Sequence, residues 1–161
     1  MGVTQGAPLV STEFAEFCRA TEPRLRQALV ATYGPVDGRE ATVDALSWAW
    51  EHWERLSEVS NRLTYLYRVG QSATRRFGHR PIPRAGWPDD TADIPDVMPE
   101  LLPALRRLPE QQRSVVLLVH GFGWSQADVA ELFAVSPSTV HAHLDRAVTR
   151  LRAELEVSDG S

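Results

Sequence analysis

Five prolines, Pro81, Pro83, Pro88, Pro95 and Pro99, fall within nineteen consecutive positions that also hold Gly86, Asp89, Asp90, Asp93 and Asp96. Each proline fixes φ and removes a backbone donor, so neither a regular helix nor a sheet strand can run through such a stretch. The chain must therefore fold as two pieces, about 11–80 and 99–157, joined by a stiff, extended linker over 81–98. Within each piece apolar residues recur every three to four positions, and no alternating pattern bounded by turns is found. The expectation is an all-α fold of two small helical domains, with short tails at 1–10 and 158–161. Each piece alone buries too little surface for more than a marginal core, so order that depends on a partner is expected.

Charge narrows the function classes. The 161 residues carry 17 basic and 21 acidic side chains, and every basic one is Arg. A net charge of −4 excludes a uniformly basic coat, so any contact with nucleic acid must come from local clusters. The single cysteine, Cys18, has no second thiol for a disulfide or a cysteine-based zinc site, which fits a reducing compartment. Neither a signal-peptide pattern at 1–10 nor an apolar run of membrane-spanning length is present, and a cytoplasmic location is expected. We find no nucleophile–base pair, phosphate-cradling glycine loop or metal constellation in the sequence, so neither an enzyme nor a cofactor is expected.

In the first piece the spacing predicts helices over 12–33, bent or restarted near Pro23 and ended by Gly34-Pro35, then over 39–56 and 61–77. In the second it predicts short helices over 100–107 and 110–120, started by Pro99 and Pro109. Ser125, followed by Asp128, then caps a helix ending near Ala134, and Ser136 with Pro137 opens another that runs to about 155.

Those last two helices, 125–155, have the spacing of a DNA-reading helix-turn-helix, with small Ala130 where the pair must approach closely. On the second of them Val140, Leu144, Ala147, Val148, Leu151 and Leu155 form one apolar stripe. Thr139, Ala142, His143, Arg146 and Arg150 lie opposite, offering short hydrogen-bonding groups for base edges and Arg for phosphates. Ala134 occupies the turn position that glycine fills most easily, and from Pro99 onward six arginines face eight carboxylates. This module alone is therefore expected to bind DNA weakly. His141 and His143, two apart, do not share a helical face and make no metal pair.

From 59 to 88 there is no Asp or Glu, while Arg62, Arg68, Arg75, Arg76, Arg80 and Arg84 stand among Tyr65, Tyr67, Phe77 and Trp87. On the 61–77 helix Leu63, Leu66, Gly70, Ala73 and Phe77 form the expected buried stripe. Tyr65, Arg68, Ser72, Arg75, Arg76 and His79 project from the other side, the combination that stacks an unpaired base while holding its backbone. Tyr67 lies nearer the stripe and reads as packing. On 41–56 the expected core stripe is Leu46, Ala49, Trp50, Trp53 and Leu56. Trp48 stands off it, flanked by Asp44, Glu51, Glu54 and Glu58. Such an aromatic either anchors a basic protein partner or is covered by another helix of the same module.

Together these stretches resemble the extracytoplasmic-function sigma factors of the sigma-70 family, which keep only the second and fourth conserved sigma regions. LLPALRRLPEQQRSVVLLVHGFGWSQADVAELFAVSPSTVHAHLDRAVTRL (101–151) is similar to the fourth region throughout. FAEFCRATEPRLRQAL (14–29), WEHWERL (50–56) and LTYLYRVGQSATRR (63–76) stand in the family's order for the second. The resemblance implies a transcription initiation factor that binds core RNA polymerase and promoter DNA. The helix with Asp44, Trp48, Glu51 and His52 would dock on polymerase. Arg62, Tyr65, Arg68, Ser72, Arg75 and Arg76 would hold the melted −10 strand with a base flipped out. Ser136, Ser138, Thr139, Ala142, His143, Arg146 and Arg150 would read the −35 duplex. An anti-sigma factor joins the expected partners. The acidic linker would thread polymerase near the RNA path. The family usually has an acidic, Gln-containing stretch where this chain has TVDALSWAW (42–50), and Lys or Arg where His141 and His143 stand, which implies weaker −35 contact or an unusual promoter.

Two other functions fit parts of the pattern. A helix-turn-helix regulator of the response-regulator type would bind a palindromic site alone as a dimer. A helical module that sequesters a protein partner through Trp48 would need no nucleic acid.

Overall fold

The computed structural model describes residues 7–76 and 101–159, and among them every regular element is helical. A first group holds α1 (Ala7–Tyr33), α2 (Pro35–Glu51), α3 (Trp53–Ser57) and α4 (Arg62–Arg76). A second holds α5 (Leu101–Arg107), α6 (Glu110–Val116), α7 (Gln126–Phe133) and α8 (Pro137–Asp159), with a π-turn, Leu117–Gly121, continuing α6. The linker, 81–98, lies outside the described residues, as do Phe77 and His79.

Helix α1 begins before the expected start and takes up part of the anticipated tail, while α8 runs past 157 into the other. Pro23 sits inside α1 without ending it. An interior proline costs about 3 kcal/mol, but the turns that follow place Leu25, Ala28, Leu29 and Ala31 in full burial, and that area outweighs the lost ladder bond. The chain then reverses at Gly34, whose φ of 90° and ψ of 172° suit a residue without a side chain. Pro35 opens α2 at its first position rather than merely stopping α1, because its missing N–H is one that no helix start satisfies internally. The second helix therefore starts at 35, not 39. It also breaks at His52 (φ −122°, ψ 31°) before restarting as α3.

The buried row of α2 is Gly38, Ala41, Thr42, Ala45 and Ala49. This corrects the expected stripe: Trp50 is 49 % exposed, and Leu46 and Trp53 are half-buried. The reason is the closeness of the helices. A Cβ on Gly38 would stand 2.5 Å from Val30 Cα, and one on Gly70 of α4 would stand 2.9 Å from Leu29 Cδ1. At such separations only small residues fit, and the bulky aromatics are displaced to the rim. There Phe14 meets Trp50 and Trp53 edge-on at 5.1 and 5.5 Å, and Phe17 meets Trp53 at 5.1 Å.

In the second group Val140, Leu144 and Ala147 of α8 are buried against α5, α6 and α7, as the periodicity implies. Its π-turn, where Phe122 N–H donates to Leu117 O at 2.8 Å, carries Trp124 into the interior. The two groups are not separate cores: α6 packs on α1 and α7 on α4, so their buried residues form one cluster.

Polar pairs cross the seam between the groups alongside this apolar packing. Thr32 Oγ1 lies 2.8 Å from the Tyr67 hydroxyl and 3.3 Å from Ser114 Oγ, and Gln71 Nε2 donates to the same Tyr67 oxygen at 3.2 Å. The Arg113 side chain, 3 % exposed, donates to the Thr32 carbonyl at 3.3 Å near the C-terminal end of α1, where a cation offsets the helix dipole. Trp124 Nε1 donates to Gln27 Oε1 at 2.8 Å, with the Arg24 guanidinium 4.8 Å from the indole and 3.4 Å from Asp128. Thr64 Oγ1 donates to the Glu131 carbonyl at 3.0 Å, and Tyr67 meets Phe133 edge-on at 5.5 Å.

If the α1–α2 contact sets the first group, Gly38→Ala should destabilise the chain by about 2–3 kcal/mol, since the obstacle is backbone and has no rotamer to yield. Denaturant melts followed by circular dichroism check this; an unchanged midpoint would contradict it.

Candidate nucleic-acid interface

Helix α7 starts as its sequence implies, with Ser125 Oγ accepting from Asp128 N–H at 3.0 Å. It ends in a Schellman turn. Val135 N–H donates to Ala130 O at 3.0 Å and Ala134 N–H to Glu131 O at 3.3 Å, which forces Ala134 left-handed at φ 55°. Val129, Ala130 and Leu132 are buried, so the turn holds α7 closely on α8. Ser136 then caps α8: its Oγ accepts from Thr139 N–H at 3.2 Å and bonds to Ser138 Oγ at 2.9 Å and Thr139 Oγ1 at 2.8 Å. Three hydroxyls thus surround the start of a 23-residue helix, where unpaired N–H groups favour an anion.

Along the outer face of α8, Ser136, Ser138, Arg146 and Arg150 are exposed, while Thr139 and Ala142 are half-buried. His143 departs from the expected face. It is half-buried, its Nδ1 is enclosed without a hydrogen-bond partner, and the residue lines a cavity of about 350 Å³ with Tyr67, Arg68 and Gln71 of α4 and Val140. Residues of α4, α6 and α7 line the cavity around this position, and no periodicity within α8 reports it. His141 stays exposed, on a different face from His143.

Sequence reasoning passed over one cationic groove. Arg106 and Arg107 of α5 lie beside Arg150 and Glu154 of α8 around about 480 Å³, with Arg107 paired to Glu154 at 2.7 Å. The adjacent arginines on a short helix were the available signal; their joining to α8 was not.

In the first group α2 and α4 bound a wider groove of about 770 Å³. Asp44, Trp48, Glu51 and Arg55 line one wall and Tyr65, Arg68 and Ser72 the other. His52 stacks on Trp48 at 4.4 Å with rings 15° from parallel, and Trp48 leans on Tyr65 at 5.3 Å. Of the two readings of Trp48, cover by another helix describes it in part: it is half-buried against α4 yet still faces the groove. Tyr65, expected to project freely, is half-buried for the same reason. Arg62 also departs from its expected face. Its guanidinium reaches back to the Phe17 and Trp53 rings at 5.8 and 5.7 Å and donates to Ser57 O at 2.9 Å, because displaced aromatics sit within its reach. Arg68 and Ser72 are exposed. Arg75 and Arg76 close α4, and their side chains fall outside the described residues.

Tyr67 is packing, as its place beside the stripe suggested, and is 4 % exposed. Burial holds its phenol neutral far above the ordinary range, against the opposing pull of the Thr32 hydrogen bond. Burial likewise lowers the Arg113 guanidinium from its usual value, and Glu110 acts against that shift.

Residues 99–151 match the model of the sigma-70 region 4 family. Over 157 residues the chain is 31 % identical to the RNA polymerase sigma-E factors of Streptomyces avermitilis and Streptomyces coelicolor, covering 91 % of this chain and 87 % and 88 % of theirs. Among solved structures it is similar to the sigma factor RpoE of Bartonella quintana, co-crystallised with the anti-sigma factor NepR. That likeness has a TM-score of 0.59 at 21 % identity and covers 90 % of this chain and 98 % of the other. No described helix is long and apolar enough to cross a membrane.

Two outcomes follow from this geometry. Left-handed backbone strains alanine and not glycine, so Ala134→Gly should raise stability by about 0.5 kcal/mol after the added freedom of the unfolded chain, seen as a higher melting temperature. A phenol whose pKa is raised on folding contributes stability that is complete below its unfolded value near 10 and is lost as pH rises through the folded value. Absorbance at 295 nm should therefore show Tyr67 ionising only as the chain unfolds in alkali. Tyr67→Phe should lose about 1 kcal/mol at neutral pH but weaken less steeply above pH ~10.

Proposed function

Because the chain belongs to the RNA polymerase sigma factors of the sigma-70 family, in their extracytoplasmic-function class, we propose that its two helical groups divide promoter recognition between them. As a sigma factor it directs transcription initiation. The observation that carries the finer reading is the capped helix-turn-helix, whose outer face presents hydroxyls first and guanidinium groups behind. Residues 99–157 form the −35 module. Ser136, Ser138 and the open N-terminus of α8 contact phosphate, Thr139 and Ala142 meet base edges, and Arg146 and Arg150 follow the backbone. His143 joins them. Arg106 and Arg107 extend the phosphate contact.

Residues 11–80 form the −10 module and the polymerase dock. Arg68 and Ser72 hold the melted strand, with Arg75 and Arg76 continuing the row, and a base turned out of the stack lies against Tyr65 and Trp48 in the α2–α4 groove. Arg62 supports that wall by fixing the aromatic rim. On the α2 wall of that groove the exposed Asp44 and Glu51 offer charge to a basic surface of polymerase, with Trp48 and His52 beside them. The chain needs no catalytic group and no cofactor for this; polymerase performs the chemistry. The place of action is the cytoplasm, and an anti-sigma factor is a further partner.

Net charge of −4 then has a use, since free DNA is bound weakly and specific binding arises once polymerase positions both modules. Run-off transcription with purified core polymerase tests the assignment. Arg146→Ala and Arg68→Ala should each lower promoter-specific transcript about tenfold, the worth of one well-placed contact, while still co-eluting with polymerase. Asp44→Arg should lose co-elution. Undiminished transcription by both arginine variants would overturn it.

A further inference from the structure

The cavity of about 350 Å³ lined by residues of α4, α6, α7 and α8 has the size of a site for a small organic molecule, and its walls are of two kinds. One part is apolar: Val115, Leu132, Phe133, Val135 and Val140, with Phe133 edge-on to the Tyr67 ring at 5.5 Å. The other part is polar, and several of its groups are already paired. Ser114 Oγ donates to Glu110 O at 2.8 Å, and the Tyr67 oxygen has Thr32 Oγ1 at 2.8 Å and Gln71 Nε2 at 3.2 Å. Two lining groups are left over. The exposed Arg68 guanidinium makes no ion pair or hydrogen bond with the described residues, and the enclosed Nδ1 of His143 has no hydrogen-bond partner. We propose that this cavity binds a small hydroxylated aromatic carboxylic acid, with its carboxylate on Arg68, its ring against the apolar wall and its hydroxyl on His143.

Each part of that ligand answers one feature of the site. A planar guanidinium meets a carboxylate with two parallel N–H donors, and the charge strengthens both bonds. A hydroxyl donates and accepts, so it satisfies Nδ1 in either tautomer of the imidazole. An enclosed nitrogen without a partner is a cost that such a hydroxyl removes. The ring leaves water for a wall of branched side chains and a phenyl group, which supplies the main favourable term. Charge narrows the class further. Arg68 is the only arginine among the lining residues and Glu110 the only carboxylate, and Glu110 favours the charged form of Arg113 outside the wall. A nucleoside phosphate would bring several negative charges to one cation beside a carboxylate, whereas a singly charged acid is matched. The described residues hold no group of three or more His, Cys, Asp or Glu side chains that suits a metal ion. A bound acid occupies Arg68 and His143, which the reading above gives to promoter DNA, so acid and promoter compete. That consequence, unlike the site itself, rests on the sigma-factor reading.

Isothermal titration of the full chain with 4-hydroxybenzoate should show a single saturable site. Arg68→Ala, at an exposed position, should weaken it about tenfold, and 4-hydroxybenzyl alcohol, which lacks the charge, should bind the wild-type chain more weakly by the same factor. Benzoate, without the hydroxyl, should bind roughly three- to tenfold more weakly. Val135→Trp, at a lining position 40 % exposed, should fill the space and abolish binding with an unchanged circular-dichroism spectrum. Inorganic phosphate should leave the acid in place. The inference is overturned by no saturable binding up to about 10 mM, by displacement with equimolar phosphate, which marks a bare anion site, or by binding that Val135→Trp leaves intact. In run-off transcription with core polymerase, a saturating level of the acid should lower the wild-type transcript and leave that of Val135→Trp unchanged. Binding without effect on the wild-type transcript overturns the competition. A chain that binds the acid as described yet supports no transcription removes the sigma-factor reading and leaves the site standing.

Discussion

The hydroxyl of Thr32 is the point on which the two halves of this molecule meet. It stands in the last turn of α1, where carbonyls lack partners within the helix, and it bonds to Tyr67 of α4 and Ser114 of α6. Arg113 donates to the carbonyl of the same residue. One helix end thus gathers a phenol, a second hydroxyl and a cation. Small helical groups that each bury little apolar surface gain a shared core through that gathering, which is why a chain expected to form marginal modules packs as one cluster.

Close approach governs the rest of the first group. With Gly38 against Val30 and Gly70 against Leu29, α1, α2 and α4 lie too near for large side chains between them. The consequences run outward to function. Trp50 and Trp53 are pushed to a rim with Phe14 and Phe17, the rim draws Arg62 back from the solvent, and Trp48 is left between α2 and α4 in contact with both His52 and Tyr65. A groove with aromatic walls, acidic on the α2 side and cationic on the α4 side, results from packing small residues elsewhere.

The second group works by local chemistry. Ser125 and Ser136 supply side-chain acceptors to first-turn N–H groups, Pro137 starts α8 with its φ already set, and Ala134 accepts left-handed geometry so that the turn stays short. These devices act over four or five residues. They lie within the stretch 99–151 that matches the sigma-70 region 4 family.

Local signals accordingly determined much from the sequence alone: the all-α class, the starts of α7 and α8, the buried face of α8, the packing role of Tyr67 and the exposed Arg68, Ser72, Arg146 and Arg150. Capping and periodicity are interactions between residues a few positions apart, so the order of residues states them directly. The start of α2 at Pro35, the alanine row beneath its tryptophans, the withdrawal of Arg62 and His143, and the joining of Arg106 and Arg107 to Arg150 were decided only by tertiary structure. Each depends on how near another helix comes, and that distance is set by side chains tens of residues away in sequence, whose fit against each other no single periodicity records.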